Sequence, residues 1–371
     1  MHDKIEVPNK SKKIAVLLHD LRGGGAERVM LRLANEFAKH GREVDLLLVR
    51  KEGAYLSEIP KNLNVITFNK RRVLLAIPAI ARYLRHEKPD ILLSGLNHIN
   101  VAAVLAGSVA KQRTRVILTE HNQISKKASS ARGLASRLTL RAVKLLYPSA
   151  HHIVAVSEGV AEDLRAFAAI KHDRGSVIYN PVVHDQLAVR AAEPVEHPWL
   201  QPGQPPVILG AGRLHPQKGF DVLLTAFARV RQQLDARLII IGEGTERSAL
   251  EALARGLGIQ ENVDLAGFVQ NPYAYMSKCR LFVISSRWEG MPTVLIEAMA
   301  CGASVISTDC PSGPDEILDG GRFAPLVPVD APELLADAIL DQMKATSQDL
   351  TQRASEYSAE RSARRYLELF L

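Results

Sequence analysis

Two glutamates eight residues apart, Glu289 and Glu297, have the clearest ligand-binding spacing in this sequence. A turn of Gly290, Met291, Pro292 and Thr293 follows the first, and an apolar segment with helical spacing contains the second. Eight residues is a little over two helical turns, so both carboxylates can face one side at different heights. The backbone N–H groups at the helix start are a ready anion site. This stretch therefore predicts a site for a ligand with a diphosphate at one end and hydroxyl groups at the other.

A second candidate site is the loop Gly210–Gly219, which follows an apolar run and contains Arg213 and Lys218. Arginine offers a planar fork for phosphate oxygens and lysine a point charge, so the pair suits a diphosphate. A basic pair in a loop is often only surface charge. Here it lies at the carboxyl end of a predicted strand, where open α/β sheets bind ligands, and this position favours the functional interpretation.

Two further candidates follow strands in the first half. Gly24 and Gly25, within Gly23-Gly24-Gly25, lie at a strand-to-helix turn that resembles a phosphate loop, although it is neither a Walker loop nor a full dinucleotide fingerprint. A tight turn is the alternative. His121 follows an apolar strand at a ligand-facing position, and a structural histidine is its alternative.

Strand-like runs alternate with helical patterns along the whole chain, which predicts a doubly wound, mostly parallel α/β fold. Its 371 residues favour two domains. We place the first at residues 1–185 and the second at 186–355, with a proline-rich linker at 193–206 and a C-terminal helix, 356–371. The predicted strands are 14–18, 44–49, 90–93, 115–119, 152–156, 207–211, 237–241, 263–266, 281–284 and 304–308.

Charge is unevenly distributed, with a net +13 in residues 1–185 and −6 in 186–371. Within the basic half, 126–147 predicts an amphipathic helix with Arg137, Arg141 and Lys144 on one face. Such a helix can lie on an anionic membrane; its alternative is a helix packed on its own sheet with a solvated basic face. Lys70–Arg72, beside the apolar run Val73–Ala81, is a second basic and apolar candidate. Nucleic acid is disfavoured, because no such motif is present and only 5% of residues are aromatic.

Several short motifs, in this order and spacing, resemble the retaining glycosyltransferases of GT-B architecture, in the group 4 class with an E-x7-E pattern. The motifs that carry the resemblance are Gly23–Arg28, Thr119–Asn122, Ala155–Val160, Tyr179–Val182, Gly212–Gly219, Gly242–Gly244, Gly267–Val269 and Glu289–Gly302. The resemblance runs nearly end to end, and it implies two Rossmann-like domains facing each other across a cleft, with the C-terminal helix crossing back to the first.

The resemblance also implies roles for individual residues. Arg213 and Lys218 would hold the donor diphosphate, Glu289 with Gly290–Thr293 the donor sugar, and Glu297 the ribose. The base would meet Phe268 and Val269, Gly24 and Gly25 would line the cleft near the distal phosphate, and His121 would approach the donor sugar and the acceptor hydroxyl. The catalytic set is therefore His121, Arg213, Lys218 and Glu289. No metal or cofactor is expected, and no nucleophile is assigned.

By the same resemblance, a UDP-sugar would donate a hexose or N-acetylhexosamine to a glycan acceptor linked to a polyprenyl diphosphate. The protein would be cytoplasmic and peripheral on the inner face of the cell membrane, with Arg137, Arg141 and Lys144 on the anionic surface. A UDP-sugar epimerase of the same fold and a catalytically silent binding subunit are the alternatives.

Overall fold

The computed structural model describes residues 12–22, 24–129, 134–346 and 348–371, and these form two compact units. The first unit comprises the described residues up to Val156, together with Ala161–Ile178 and Ser362–Leu371. The second comprises Ser157–Val160 and Tyr179–Arg361. Each unit is a parallel sheet with helices, so the predicted α/β class is confirmed.

A wholly parallel seven-stranded sheet, in the order β3-β2-β1-β4-β5-β6-β7, forms the centre of the first unit. Its strands are β1 Ile14–Leu18, β2 Val44–Leu48, β3 Asn64–Thr67, β4 Ile91–Gly95, β5 Arg115–Glu120, β6 His152–Ala155 and β7 Gly175–Val177. The helices from this part of the chain are α1 Gly25–Lys39, α2 Val73–Glu87, α3 Asn97–Ala110, α4 Ile124–Ser129, α5 Leu134–Leu146 and α6 Glu158–Ala168. Val29, Leu33 and Phe37, spaced four residues apart along α1, are buried, as an amphipathic helix on a sheet requires.

The second unit has a six-stranded parallel sheet in the order β10-β9-β8-β11-β12-β13. Its strands are β8 Val207–Ala211, β9 Arg237–Ile241, β10 Val263–Gly267, β11 Leu281–Ile284, β12 Val305–Thr308 and β13 Leu326–Val327. The remaining helices are α7 Asp185–Ala191, α8 Phe220–Arg231, α9 Arg247–Gly256, α10 Pro272–Lys278, α11 Thr293–Ala300, α12 Pro314–Leu318, α13 Pro332–Lys344, α14 Thr351–Ser355 and α15 Ala359–Phe370.

The proline-rich segment 193–206 lies inside the second unit, whereas the sequence analysis treated it as the linker. Prolines mark irregular backbone, but side-chain contacts decide which core a segment joins. Here the His197 imidazole Nε2 contacts the Asp264 carboxylate at 2.9 Å, and the Arg237 guanidinium lies 5.7 Å from the centroid of the Trp199 ring. Apart from the short excursion at Ser157–Val160, the chain enters the second unit at residues 178–179, before the predicted boundary at 185–186.

The C-terminal helix α15 returns to the first unit, as expected. Tyr366 and Phe370 are buried in its core, and both rings pack edge-on against Phe37 with centroids 6.1 and 5.5 Å away. Arg115 donates to the carbonyls of Leu369 and Phe370 at 3.0 and 2.9 Å, which satisfies acceptors at the helix end. Helix α15 therefore completes the hydrophobic core to which β1 and α1 also contribute.

Candidate active site

Glycine backbones bring the loops after β8, β9 and β11 close together at the carboxyl edge of the second sheet. A Cβ on Gly242, where φ is +136°, would lie 1.9 Å from the Gly212 carbonyl oxygen. A Cβ on Gly219, where φ is +60°, would lie 2.1 Å from the Ser285 carbonyl oxygen. Only glycine fits both positions without backbone displacement. The loop that carries Arg213 and Lys218 is thereby held against its neighbours.

Lys218 and Glu289, assigned from the sequence to different parts of the ligand, are in direct contact. The ammonium nitrogen lies 2.6 Å from the Glu289 carboxylate, and the Ser286 hydroxyl donates to the same oxygen at 2.6 Å. The two side chains are 19% and 7% exposed, so water screens this pair only weakly. The pair joins the loop after β8 to the loop after β11.

Arg213 differs from Lys218 because its side chain is exposed and forms no ion pair with any residue in the described ranges. The Gly212 beside it has φ of +155°, and a Cβ there would touch the Lys218 stem at 3.2 Å. The unit thus presents one cation already paired with a carboxylate and one that faces solvent.

Arg287 fixes the geometry of both loops, and sequence reasoning gave it no role. Its guanidinium binds both Asp221 oxygens at 3.0 and 2.7 Å, Asp330 at 2.7 Å and the Pro216 carbonyl at 2.7 Å. Burial acts to raise the pKa of Asp221, but the hydrogen bonds and charge of Arg287 outweigh it, and the net pKa is lowered. Arg287 begins the stretch with the two glutamates, but its three partners are distant in sequence and gave no local signal.

Helix α11 begins at Thr293 with Pro292 as its N-cap, and no side chain caps it. The preceding Gly290 carbonyl accepts hydrogen bonds from the Ser157 and Ser312 hydroxyls, both at 2.8 Å. These bonds fix the turn that enters the helix. Because no side chain caps this end, the positive end of the helix dipole carries no partner there among the described side chains, and an anion at this point stays a prediction.

Glu297 lies inside α11 and is 4% exposed. The Tyr273 hydroxyl, itself fully buried, donates to one of its oxygens at 3.3 Å. Because the side chain is enclosed, Glu297 is not a solvated glutamate on an outer helix face. Burial and the Glu297 charge raise the pKa of the neighbouring Cys301 thiol to about 12, so that thiol stays protonated at neutral pH.

At the outer edge of the same sheet, Phe268 follows β10 with 67% of its surface exposed, and Val269 is half-buried. The preceding Gly267 has φ of +76° and accepts the Gly242 N–H at 2.7 Å, so the turn is anchored to the loop after β9. An exposed aromatic ring on an anchored turn can stack on a planar ligand group.

The first unit holds the remaining predicted site residues. Gly24 is the N-cap of α1, where a Cβ would lie 2.0 Å from the Glu27 carboxylate, and Gly25 begins the helix; Gly23 lies outside the described residues. His121 follows β5 and is 7% exposed. A Cβ on Gly95, at the end of neighbouring β4, would meet the His121 Nε2 at 3.0 Å, so this glycine makes room for the ring.

Beside His121, a buried polar network joins β5, α3 and the end of α5, and sequence reasoning missed it. The Glu120 carboxylate, 1% exposed, accepts from the Asn97 amide at 2.9 Å and the Tyr147 hydroxyl at 2.8 Å. Asn100 in turn donates to that hydroxyl at 3.0 Å. Burial, then the Glu120 charge, raise the pKa of Tyr147 well above its usual value, so it remains a donor.

The basic helix predicted over 126–147 consists of α4 and α5, and residues 130–133 between them lie outside the described ranges. Arg137, Arg141 and Lys144 are exposed, with Leu138 52% and Leu145 77% exposed beside them. The opposite face of α5 buries Leu140 and Val143. The helix therefore packs on its own unit and also presents basic and apolar side chains outward. Leu74 and Leu75, beside Lys70–Arg72, are likewise 65% and 60% exposed.

Comparison with known proteins identifies the protein family of this chain. The family model described as Glycosyltransferase Family 4 matches residues 23–186, and the model described as Glycosyl transferases group 1 matches 205–344. The candidate site residues of the first unit and those of the second unit fall inside these matched segments. The described residues include no helix long and apolar enough to span a membrane.

Similar sequences and structures agree with this class. The chain is 30% identical over 334 residues to the N-acetylgalactosamine-N,N'-diacetylbacillosaminyl-diphospho-undecaprenol 4-alpha-N-acetylgalactosaminyltransferase of Campylobacter jejuni, covering 86% of this chain and 87% of that protein. It is 26% identical to the lipopolysaccharide 1,6-galactosyltransferase of Salmonella typhimurium, over 83% of each. Among solved structures, Anabaena Alr3699/HepE in complex with UDP and glucose superposes with a TM-score of 0.81 at 20% identity, over 96% of this chain and 99% of that one. The chain belongs to the glycosyltransferases, and its two units have the GT-B type of fold.

Proposed function

We propose that this glycosyltransferase moves a hexose or N-acetylhexosamine from a UDP-sugar to a lipid-linked glycan, with retention of anomeric configuration. The observation that carries the proposal is the buried Lys218–Glu289 pair, 2.6 Å apart, in loops that also present the exposed Arg213 and the uncapped start of α11. Cations and a helix N-terminus suit a leaving diphosphate, and a buried carboxylate suits sugar hydroxyls.

In this proposal the charge that develops on the departing diphosphate is stabilised by Arg213, Lys218 and the first N–H groups of α11. Such preorganised donors stabilise a leaving group without a metal ion. Glu289 accepts hydrogen bonds from the donor sugar, with Gly290–Thr293 as the adjoining wall, while Glu297 accepts from the ribose. Because Lys218 already touches Glu289, it links the phosphate end of the site to the sugar end.

Further contacts complete the donor assignment. Phe268 and Val269 take the base, for which an exposed aromatic ring is suited. On the first unit, Gly24 and Gly25 lie near the distal phosphate, and His121 approaches the reacting sugar and the acceptor hydroxyl. Two similar proteins support the donor and acceptor classes: Alr3699/HepE is in complex with UDP and glucose, and the Campylobacter jejuni enzyme acts on a diphospho-undecaprenol glycan.

A donor screen tests this proposal. UDP is expected to raise the melting temperature more than GDP, because a ligand that binds only the folded state stabilises it in proportion to its affinity. Release of UDP from UDP-hexoses and UDP-N-acetylhexosamines should require a polyprenyl-diphosphate glycan and survive EDTA. Consumption of the donor without an acceptor would instead identify an epimerase, and no consumption at all a silent binding subunit.

Two substitutions test the phosphate assignment. Arg213→Ala and Lys218→Ala should each lower kcat/KM for the donor roughly 100-fold, as expected for loss of one preorganised donor to a developing anion. Arg255→Ala, an exposed arginine on α9, is the matched control and should leave transfer unchanged. If both site variants transferred sugar as fast as wild type, the assignment of the diphosphate to Arg213 and Lys218 would be wrong. NMR of the product anomer separately decides retention.

We also propose that the protein is cytoplasmic and peripheral on the inner membrane face, through the basic and apolar surface of α5. Reversing the charges of Arg137, Arg141 and Lys144 is expected to abolish most binding to vesicles containing anionic lipid, because each basic residue contributes about 1 kcal/mol near such a surface. Reversing three exposed cations of the second unit is the matched control: Arg255, Lys278 and Lys344. Equal binding by both triple variants would exclude α5 as the anchor.

A further inference from the structure

His19 and His98 meet at the topological switch point of the first sheet. Strand β1 pairs with β2 on one side and with β4 on the other, so the order of the strands reverses its direction at β1. His19 comes directly after β1, and His98 lies in the first turn of the helix after β4. Their rings contact edge to face, with centroids 5.6 Å apart. Open parallel sheets bind ligands at such a point, outside the carboxyl ends of the strands.

His19 is paired with a buried carboxylate. Its Nδ1 lies 3.0 Å from the Asp20 carboxylate, whose side chain is 4% exposed, while the His19 side chain is 19% exposed. In the neutral ring, a proton on Nδ1, the nitrogen that faces this carboxylate, leaves the lone pair on Nε2. In that form His19 offers a hydrogen-bond acceptor, which suits a hydroxyl group and not an anionic phosphate.

Asp20 is itself held in place. The Arg22 guanidinium donates to the same Asp20 oxygen at 2.7 Å, and the Arg22 backbone N–H donates to the other at 3.2 Å. The carboxylate therefore remains oriented toward His19 within a loop that folds back on it.

The backbone of this loop is also fixed by the segment after β2. Arg50 N–H donates to the His19 carbonyl at 2.8 Å, and Leu21 N–H donates to the Glu52 carbonyl at 2.8 Å. Gly53, with φ of +124°, packs so closely that a Cβ would lie 2.0 Å from the Leu21 carbonyl carbon. A loop anchored from both sides can hold a reacting group with the precision that catalysis requires.

We infer that His19, held beside Asp20, accepts the hydrogen bond of the acceptor hydroxyl. This inference rests on the proposed transfer reaction and names the group on the first unit that recognises the acceptor. His19 is then a catalytic residue that touches substrate, and Asp20 a positioning residue that acts through it.

The test uses the full-length protein, the best UDP-sugar from the donor screen and a polyprenyl-diphosphate glycan. His19→Ala should lower kcat/KM for the acceptor roughly 10- to 100-fold, while the UDP-induced rise in melting temperature stays at the wild-type value. His19→Gln, whose amide oxygen restores an acceptor, should recover part of the loss. Asp20→Asn should cost as much as His19→Ala, because the amide can donate to Nδ1 and move the imidazole proton to Nε2. His172→Ala, an exposed histidine of the same unit, is the control.

The outcomes separate the two levels of the argument. If wild type transfers no sugar, the proposed function fails and the His19 assay has no signal. If wild type transfers and His19→Ala keeps its acceptor kcat/KM, the inference alone is wrong. Loss in His19→Ala with full activity in Asp20→Asn would remove Asp20 from the role. Equal loss in His19→Ala and His19→Gln, with lowered melting temperatures in both, would reduce His19 to a structural residue.

Discussion

The Lys218–Glu289 pair offers a quantitative test of the second unit. The charged groups are 2.6 Å apart, and the side chains are 19% and 7% exposed. With an effective dielectric constant of about 20, their gross attraction is roughly 6 kcal/mol. Desolvation offsets much of this, so the net coupling should be about 2 kcal/mol.

Three variants separate that coupling from the cost of each truncation. Lys218→Met leaves the nearly enclosed Glu289 charge without its cation and should lower the free energy of unfolding by about 3 kcal/mol. Glu289→Gln leaves Lys218, whose longer stem can reach water, and should cost about 2 kcal/mol. The double variant should cost about 3 kcal/mol, less than the sum, because neither charge then remains buried and unpaired.

Tryptophan fluorescence during urea unfolding measures these differences in the relevant unit. Both tryptophans of the chain, Trp199 and Trp288, belong to the second unit, and Trp288 adjoins Glu289. Midpoints and slopes therefore report that unit without signal from the first. Losses that add within about 0.5 kcal/mol would refute the reasoning, because they would mean that the contact carries no coupling. Arg255→Met, on an exposed helix face, should leave the transition unchanged and serves as the control.

Three other predictions concern different parts of the two units. Asp221→Asn should make the free energy of unfolding less dependent on pH in acid. Burial acts to raise the pKa of Asp221, but Arg287 outweighs burial, so the pKa in the folded protein lies below 3.8. The stability that the Asp221 carboxylate contributes is therefore present above 3.8 and lost as pH falls through the folded pKa, which urea unfolding from pH 5 to 3 can measure. Tyr147→Phe should cost about 1–3 kcal/mol, because buried Glu120 loses a donor at 2.8 Å, and thermal unfolding measures the loss. Phe268→Ala should weaken UDP binding roughly tenfold at unchanged stability, which calorimetry can test, since the ring is 67% exposed and can contribute stacking but little core packing.

Several central strands could be predicted from sequence to the residue, whereas three of the four edge strands could not. β1, β8, β9 and β11 have the predicted bounds, because each is a continuous buried apolar run, preceded in β9 by the half-buried Arg237. The strands absent from the prediction, β3, β7 and β13, have only two to four residues and partly exposed patterns. They form because a neighbouring strand offers a hydrogen-bonding edge, which no local pattern encodes.

The candidate site divides in the same way. Arg213, Lys218 and Glu289 could be selected from residue type and from position after a strand, since a parallel sheet brings strand ends to one edge. Glu297 could be selected from its eight-residue spacing after Glu289. Their partnerships could not be predicted. The three contacts of Arg287 join positions 43 to 71 residues apart, and the Tyr147–Glu120 bond spans 27. Such pairings depend on packing that periodicity does not contain.

One topological rule accounts for the charged pairs in both units. β8 lies between β9 and β11 as β1 lies between β2 and β4, so each sheet has its switch point beside its first strand. The first unit places a histidine and a carboxylate there, His19 and Asp20, and the second places Lys218 with Glu289. The same backbone geometry therefore presents an imidazole beside a carboxylate in one unit and an ammonium group beside a carboxylate in the other. The proposed reaction needs this division, because an acceptor hydroxyl requires a hydrogen-bond acceptor, whereas a donor diphosphate requires a cation.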